Sequence, residues 1–381
     1  MLKLRYLSKL LEHSSKRNVR RFSSQPGVKV KLNDHKMRAW QIHSYGDLSE
    51  LQLTTARIPH ISNPDELLIQ VDAASLNPID KAMINGYGRT VLNFFRRYEL
   101  EFPLTLGRDF AGVVIDKGHG VGNEFKVGDK VYGIVSLHKQ GSQAETVIAD
   151  KSLTLLQPTH LNAIEATSVL YTSMTAWSAL YITGELSIRD PRRCKVLILG
   201  ASGGVGTVAT QILKSQHASV IGACSTDAVP LVRSLGADVV FDYTSPEYVQ
   251  NVASEGMYDI ILDCAKFGYQ NIPQTWKFKR YVTLNSPLLI NTDKYGLVGG
   301  LAASMNELVG ANLTKCLDGK SMRWGFFVPS SDGLKFIDGL VRNKQIIPTI
   351  HKVFKFEELP KAYEALAAGH LRGKIIINMQ E

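Results

Sequence analysis

Hydrophobic positions follow two different patterns on either side of residue 160. Before it, short apolar runs such as 38–42 and 66–71 are separated by turn sequences rich in Asn, Gly, Pro and Asp, which predicts an all-β module. After it, apolar positions recur at helical spacing over 162–181, and buried-strand runs then alternate with helical runs. Strands are expected at 195–199, 219–223, 238–241, 258–262, 280–284, about 322–328 and 374–378, with a helix at 359–369. This alternation is typical of a parallel sheet.

The strand at 196–199 runs directly into a glycine-rich turn, Gly-Ala-Ser-Gly-Gly-Val-Gly at 200–206, and a helical run follows at 207–213. A strand, a glycine turn and a helix in this order place a diphosphate at the helix N-terminus, where unpaired N–H groups and the helix dipole attract an anion. Gly203 lets the backbone approach the phosphates, and Gly206 lets the helix pack closely on its strand. The sequence therefore predicts a dinucleotide-binding turn.

The same turn also matches the Gly-x-Ser-x-Gly nucleophile elbow of hydrolases, with Ser202 as the nucleophile. That interpretation requires a His and an acid later in the chain and a hydrolase-like order of strands. The Gly-Gly-Val-Gly continuation and the strand that follows the helix favour the dinucleotide turn. The chain contains no Tyr-x-x-x-Lys, which counts against the short-chain dehydrogenase class.

The residue that follows the next strand bears on the choice of cofactor. Ser225 lies 19 residues after Gly206, near the position where NAD-binding proteins carry the acid that holds the ribose 2′-hydroxyl. A hydroxyl at this position does not repel a 2′-phosphate. The sequence therefore predicts NADPH rather than NADH, although Asp227 follows two residues later.

The formal charge of +9 is concentrated in the first 31 residues, which hold nine Lys or Arg and one acid. The rest of the chain is close to neutral, which argues against a nucleic-acid partner. The basic, Ser-containing tail predicts a mitochondrial transit peptide within 1–35, cut after Phe22 and addressed to the matrix. A disordered basic tail on a cytosolic enzyme and a membrane-surface helix are the alternatives.

Cysteine usage and hydropathy bear on two further classes of protein. The four cysteines, Cys194, Cys224, Cys264 and Cys316, are scattered without a Cys-x-x-Cys pair. We therefore expect buried free thiols rather than a zinc site or a disulfide framework. The chain has no run of 18 apolar residues, so we expect no transmembrane span.

Several motifs occur together in a fixed order along the 381 residues. They are 77–80 (NPID), 106–112 (LGRDFAG), 127–133 (VGDKVYG), the glycine turn, 235–238 (LGAD) with Tyr243, and 369–374 (GHLRGK). Over 37–381 the chain resembles the zinc-free quinone-oxidoreductase branch of the medium-chain dehydrogenase/reductase superfamily. The resemblance implies an α/β fold with a GroES-like substrate domain (36–161 and 329–381), an inserted Rossmann doubly wound parallel sheet (162–328) that binds NADPH, and an active site in the cleft between them.

The resemblance also assigns site residues by position. The Cys and His zinc ligands of zinc-binding relatives fall at Asn77 and Arg108, so we expect no metal. The implied cofactor contacts are Ser202, Gly203, Gly204, Val205 and Gly206 at the diphosphate, Ser225 and Tyr243 at the 2′-phosphate, Cys264 and Leu284 along the nicotinamide arm, and Phe327, His370, Leu371 and Arg372 in the segment that closes over the cofactor.

Two residues are candidates for catalysis. Tyr87 lies close to where related enoyl-thioester reductases keep a catalytic Tyr, and its phenol is either a proton donor or a surface on which substrate stacks. Asn77, with Asp80, either orients the acceptor or cofactor or shapes its turn.

The preferred interpretation is mitochondrial, NADPH-dependent, metal-free reduction of a quinone, such as a ubiquinone-pathway intermediate, or of an activated carbonyl. A 2-enoyl thioester reductase and an NADPH-binding scaffold with little turnover are the alternatives. The apolar stretch 288–320 would form a substrate entrance, a homodimer contact or a lid. Protein partners of reticulon type or from ubiquinone biosynthesis are implied by the resemblance alone.

Overall fold

The structure, a computed structural model, describes residues 35–96, 100–313 and 318–380. The expected transit peptide and Cys316 lie outside the described residues. Within the described ranges, Cys194 and Cys224 are buried free thiols, as expected, and Cys264 is a free thiol that is only partly buried. No helix in these ranges is long and apolar enough to cross a bilayer.

The strands and helices are numbered here in chain order. The strands are β1 (Lys36–Ile42), β2 (Gln52–Arg57), β3 (Glu66–Leu76), β4 (Leu104–Thr105), β5 (Asp109–Lys117), β6 (Lys130–Ile134), β7 (Thr146–Asp150), β8 (Thr154–Leu156), β9 (Lys195–Leu199), β10 (Ser219–Cys224), β11 (Val239–Asp242), β12 (Tyr258–Asp263), β13 (Phe278–Thr283), β14 (Ser321–Trp324), β15 (Ile350–Lys355) and β16 (Lys374–Asn378). The helices are α1 (Pro78–Ile84), α2 (Arg89–Arg96), α3 (Ala163–Thr167), α4 (Leu170–Trp177), α5 (Gly204–Ser215), α6 (Val229–Ser234), α7 (Tyr248–Glu255), α8 (Leu288–Leu313), α9 (Ser331–Arg342) and α10 (Leu359–Ala368).

A parallel sheet forms the centre of the second half of the chain, with strand order β11-β10-β9-β12-β13-β14. β9 lies in the middle, and its residue Ile198 is in register with Gly222 of β10 and Leu262 of β12. The apolar run of β9 is buried because helices cover both faces of such a sheet. The sheet brings the carboxyl ends of β9, β10, β12 and β13 to one edge, where parallel α/β sheets bind their ligands.

A second, mixed sheet joins the two ends of the chain. Its order is β15-β16-β3-β5-β6-β8, with β7 also paired to β3, and β16 runs antiparallel to β3. Residues from the first part of the chain also form a separate three-stranded sheet of order β2-β1-β4. This distribution of strands supports the proposed division into 36–161 with 329–381 and an inserted 162–328.

Two local expectations were wrong. The all-β expectation for the first part missed α1 and α2. The strand expected at 322–328 ends at Trp324, because beyond Gly325 the chain leaves the sheet and the N–H of Val328 is bound by the Ser178 hydroxyl. The helical pattern expected over 162–181 is confirmed, as α3, α4 and a wider helical turn at Ser178–Thr183.

The two missed helices have different causes. α1 is readable locally, because Pro78 occupies the first turn, where its missing N–H costs nothing, and the Asp80 carboxylate accepts the N–H of Asn77 at 2.8 Å. The first N–H groups of α2 are instead capped from α8: Asp293 accepts hydrogen bonds from the backbone of Gly88 (2.6 Å) and Thr90 (2.9 Å). A cap from a distant part of the chain leaves no local pattern.

Candidate active site

A cleft of about 340 Å³ lies where the mixed sheet meets the carboxyl edge of the parallel sheet. Its lining is mostly apolar, and Lys374 is the one charged side chain among the described residues that form it. The cleft brings together many of the residues selected from the sequence: Asn77, Tyr87, Gly203, Gly204, Val205, Cys264, Leu284, Phe327 and Leu371.

The glycine turn at the cleft fits a diphosphate. α5 begins at Gly204, so its first N–H groups have no partner within the helix. A Cβ built on Gly203 would meet only the carbonyl oxygen of Gly200 at 3.6 Å, which leaves room for a ligand on that side. A Cβ on Gly206 would lie 2.2 Å from the same oxygen, so Gly206 permits the close packing of α5 against the turn.

The C-terminal segment docks against this turn. The N–H of Gly373 donates to the carbonyl oxygen of Ser202 at 3.0 Å, and Gly373 pairs with Gly203 as in a parallel sheet. Ser202 itself is only 6% exposed. A hydrolase nucleophile stands exposed at its elbow, so the burial of Ser202 and the parallel sheet around it disfavour the hydrolase interpretation.

A cluster of polar groups lies beyond the cleft at the end of β10. Arg372 donates through Nη2 to Ser225 Oγ at 2.8 Å and to the two carboxylate oxygens of Asp227 at 2.8 and 2.6 Å. The Ser225 hydroxyl also donates to Asp227 at 2.6 Å. The Arg372 Nε is buried without a hydrogen-bond partner among the described residues.

This arrangement bears on the cofactor contacts expected from the sequence. A carboxylate does stand beside Ser225, and the hydroxyl of Ser225 together with the Arg372 guanidinium lowers the pKa of Asp227. Arg372 lies at the position expected for the 2′-phosphate, rather than only closing the cofactor with its neighbours. The His370 side chain is exposed, while its carbonyl oxygen accepts a bond from Arg372 at 3.0 Å. Tyr243 is exposed too, with its N–H bound to the Cys224 carbonyl.

Apolar groups line the part of the cleft expected for the nicotinamide. Burial raises the pKa of the Cys264 thiol, so this residue is a neutral wall beside Leu284. Phe327 stacks on Tyr171 with ring centroids 4.7 Å apart and planes 9° from parallel. The two rings form a flat apolar surface at the edge where the parallel strands end.

A polar cluster forms the floor of the cleft on the opposite side. The Lys374 ammonium donates to Asn77 Oδ1 at 2.6 Å and contacts Asp109 Oδ2 at 3.4 Å. The amide of Asn77 donates to the same Asp109 oxygen at 2.8 Å. Asp109 also accepts from the Ser75 hydroxyl and, at 3.1 Å, from the backbone N–H of Tyr171. Each of the three residues is at most 5% exposed.

Tyr87 lies at the mouth of the cleft, in the loop that Asp293 of α8 holds in place. Burial raises the pKa of its phenol, and the nearby Asp293 carboxylate adds to the shift. Tyr87 is therefore protonated at neutral pH and able to donate a proton.

The same contact places the first turn of α8 at the cleft mouth, where Leu289 is among the lining residues. Farther along α8, apolar side chains at helical spacing are exposed: Val298, Leu301, Met305, Val309 and Leu313. An entrance, a homodimer contact and a lid thus remain proposals for the stretch 288–320, of which residues 314–317 are not described.

The comparisons with known proteins agree with this geometry. Residues 63–158 match the family model of the alcohol dehydrogenase GroES-like domain, and residues 235–377 match that of the zinc-binding dehydrogenase. "NAD(P)H oxidoreductase RTN4IP1, mitochondrial" from Drosophila melanogaster is 43% identical, with 91% of this chain and 87% of the relative covered. Its namesake from Homo sapiens is 39% identical over 90% and 89%.

The chain belongs to the RTN4IP1 family of NAD(P)H oxidoreductases. The family lies in the medium-chain dehydrogenase/reductase superfamily, and the chain is an oxidoreductase. A solved quinone oxidoreductase from Coxiella burnetii shares the fold, with a TM-score of 0.72 and 24% identity over 91% of this chain and all of that chain. The predicted GroES-like and Rossmann parts are confirmed as the fold class.

One of the matched family models is named for zinc. The residues on the polar floor of the cleft do not fit a zinc ion. An amide (Asn77) and a guanidinium (Arg108) occupy the positions expected for a thiolate and an imidazole ligand. The Asp109 carboxylate is already paired with the Lys374 ammonium, and Arg108 Nε lies 3.7 Å from Asp80. The buried cations Lys374 and Arg108 are paired with the Asp109 and Asp80 carboxylates and disfavour a dication there. The described residues contain no cluster of metal-ligating side chains.

Sequence reasoning missed four residues of the site: Lys374, Asp109, Tyr171 and Asp293. Lys374 and Asp109 belong to motifs that carried the family resemblance, but their spacing alone assigned them no role. Burial raises the pKa of Asp80 to about 6, against the opposing charge of Arg108. No sequence pattern indicated that Asp80 and Arg108 are both fully buried.

Proposed function

We propose that this oxidoreductase reduces a quinone or an activated carbonyl compound with a hydride from NADPH and without a metal. The observation that supports it best is an apolar cleft that runs from a diphosphate-compatible glycine turn to one polar floor. A curated relative from Arabidopsis thaliana, the "Chloroplast envelope quinone oxidoreductase homolog", is 30% identical over 90% of this chain and 98% of its own length.

Bound NADPH would supply the hydride, so the protein has to position the acceptor, exclude water and deliver one proton. The stacked Tyr171 and Phe327 rings and the neutral Cys264 thiol would hold the nicotinamide in an apolar wall. Asn77 would donate a hydrogen bond to the acceptor oxygen as negative charge develops on it. Tyr87 would then transfer its proton to that oxygen, which balances the hydride added to the acceptor.

The relatives that define the family are named for NAD(P)H, and this chain uses that cofactor type. The preference for the phosphorylated form is a proposal that rests on Arg372 and Ser225. A 2′-phosphate would accept a hydrogen bond from the Arg372 guanidinium beside Ser225, whereas the 2′-hydroxyl of NADH offers no charge to the guanidinium.

The cellular setting is also a proposal. The relatives' names place those proteins in mitochondria. The basic tail supports a mitochondrial location for this chain as well, and we propose the matrix. A fluorescent protein fused to residues 1–31 should accumulate in mitochondria, and a diffuse cytosolic signal would reject the proposal. The "Reticulon-4-interacting protein 1, mitochondrial" of Caenorhabditis elegans, 33% identical over 90% of this chain, is named for a reticulon partner, which we likewise propose here.

The function is tested by the loss of NADPH absorbance with a panel of quinones, enones and enoyl-CoA thioesters. We expect turnover with quinones and enones. Turnover confined to enoyl-CoA substrates would favour the thioester reductase instead. Tight NADPH binding without turnover on any acceptor would favour a scaffold protein.

Tyr87→Phe is expected to lower kcat about 100-fold with little change in the KM for NADPH, because the variant keeps the ring and loses the proton donor. The raised pKa of Tyr87 predicts a wild-type kcat that stays level from neutral to mildly basic pH and falls only as the phenol ionises at higher pH. Steady-state assays across pH measure both effects.

Tyr181→Phe is the matched control, since this half-buried tyrosine does not line the cleft and its hydroxyl has no partner among the described residues. It should leave kcat unchanged. A Tyr87→Phe enzyme as fast as the wild type would remove Tyr87 from the mechanism.

A further inference from the structure

The hydrogen bonds on the floor of the cleft leave the Asn77 amide only one possible orientation. An ammonium can only donate hydrogen bonds, so the atom 2.6 Å from Lys374 Nζ has to be the amide oxygen. An ionised carboxylate can only accept them, so the atom 2.8 Å from Asp109 Oδ2 has to be the amide nitrogen. Each neighbour disfavours the flipped amide, and the two together also fix its rotation, because they hold both of its ends.

This orientation has a consequence for the cleft. One N–H of the Asn77 amide is used by Asp109, and the other has no acceptor in the part of the chain that the structure describes. Asn77 is 1% exposed and lines the cleft, so the remaining N–H can be satisfied only from the cleft side. It is therefore a fixed donor for an acceptor atom of a bound substrate.

The Lys374 ammonium cannot play that part itself. Its three N–H groups are taken by the carbonyl oxygen of Leu76 at 2.9 Å, by Asn77 Oδ1 and by Asp109 Oδ2. It is 5% exposed, and its aliphatic stem lies against Gly204 of the glycine turn, 3.2 Å from where a Cβ would be. Lys374 has no donor left for a diphosphate or a substrate oxygen, so any effect on the reaction passes through its neighbours.

We propose that Lys374 and Asp109 are positioning residues, which together fix the Asn77 amide so that its free N–H meets the carbonyl oxygen of the quinone or enone. The proposal rests on the proposed function for the identity of that substrate. It does not depend on a metal, because the ammonium holds Asp109 and orients the polar floor in the absence of one. The step it assists is hydride addition to the acceptor, while Asn77 stabilises the charge on oxygen.

A double-mutant cycle tests this coupling. Asn77→Ala should lower kcat about 100-fold, the usual cost of removing one such donor, and Lys374→Met should lower it at least about tenfold. When both are combined, kcat should equal that of Asn77→Ala within about threefold, because Lys374 has nothing left to orient. The dissociation constant of NADPH, measured by fluorescence titration, should stay within about threefold in Lys374→Met.

Lys139→Met is the matched control, because Lys139 also pairs with a buried carboxylate, Glu66, at 2.6 Å but lies outside the cleft. It should leave kcat unchanged. Equal losses from Lys374→Met in the presence and absence of Asn77 would overturn the proposal. So would a loss of NADPH affinity as large as the loss of kcat, which would assign Lys374 to the cofactor.

Two further measurements keep the result decisive. If Lys374→Met does not fold, Asp109→Leu, which is of similar size and has no hydrogen-bond acceptor, removes the other neighbour that orients the Asn77 amide. It should give the same non-additive loss with Asn77→Ala. A crystal structure of either variant should show the Asn77 amide rotated from its wild-type position. An Asn77 side chain that has not moved would contradict the proposal that Lys374 and Asp109 position it. The crystal structure needs no substrate, so a wild-type enzyme inactive on every acceptor would reject the proposed function separately.

Discussion

Replacing Arg372 by Gln should raise the KM for NADPH about 10- to 100-fold and leave the KM for NADH within about twofold. Hydrogen bonds to a charged group are worth about 1.5–3 kcal/mol each, and about 1.4 kcal/mol is a tenfold change. The Arg372 side chain is only 22% exposed and is held by Ser225 at 2.8 Å. Solvent therefore screens its hydrogen bond to a phosphate only in part, and much of the hydrogen-bond free energy is kept. Steady-state kinetics with both cofactors measure the effect.

The neighbouring carboxylate gives the opposite prediction within the same experiment. The Asp227 carboxylate accepts hydrogen bonds from the Arg372 guanidinium, so a bound 2′-phosphate would have to share the guanidinium with it. Asp227→Asn should therefore lower the KM for NADPH, by a few-fold because Asp227 is exposed.

Arg342→Gln is the control, since Arg342 forms a comparable pair with Asp338 at 2.7 Å on α9. It should alter neither cofactor's KM. Equal losses with NADPH and NADH in Arg372→Gln would show that Arg372 contacts a part common to both cofactors, or only supports the fold, and the proposed preference for NADPH would fail.

Gly206→Ala should destabilise the protein by about 3 kcal/mol and abolish measurable NADPH binding. The new Cβ would lie 2.2 Å from the carbonyl oxygen of Gly200 and 2.7 Å from the Cα of Ala201. Both are backbone atoms of the turn itself, so the clash can be relieved only by moving α5 away from the strand. That movement would displace the N–H groups that fit the diphosphate.

Gly310→Ala provides the matched control. It makes the same change in α8, where a Cβ would meet nothing within 4 Å. Alanine there should stabilise the helix by up to about 1 kcal/mol, the normal effect of replacing an exposed helical glycine. Chemical denaturation and a fluorescence titration with NADPH measure both variants. A Gly206→Ala protein as stable as the wild type would contradict the packing argument.

The elements that the sequence predicted well are those whose signal is local. β9 is a short apolar run, and the glycine turn and α5 follow it within one continuous segment. Gly206 could be assigned a packing role for the same reason, since the strand and helix that it joins are neighbours along the chain. The strand β16 and the helix α10 were likewise readable from their own residues.

The contacts that organise the site join residues far apart in sequence. Lys374 reaches Asn77 across 297 positions, and Arg372 reaches Ser225 across 147. The sequence placed Arg372 on the segment that closes over the cofactor. It could not show that a carboxylate two residues after Ser225 would be paired with that arginine.

The sequence by itself indicates the dinucleotide turn and the strands that alternate with helices, while the doubly wound sheet, the β-rich partner domain built from both chain ends and the candidate contacts are what the family resemblance implies. Periodicity and turn chemistry act over a few residues, so they determine strands, helices and glycine turns. Only the tertiary structure decided that Lys374 and Asp109 hold Asn77, that Asp293 caps the Tyr87 loop, and that Arg372 pairs with Asp227. Such pairs form because folding removes charged groups from water, and each buried group then requires a partner that chain proximity does not supply.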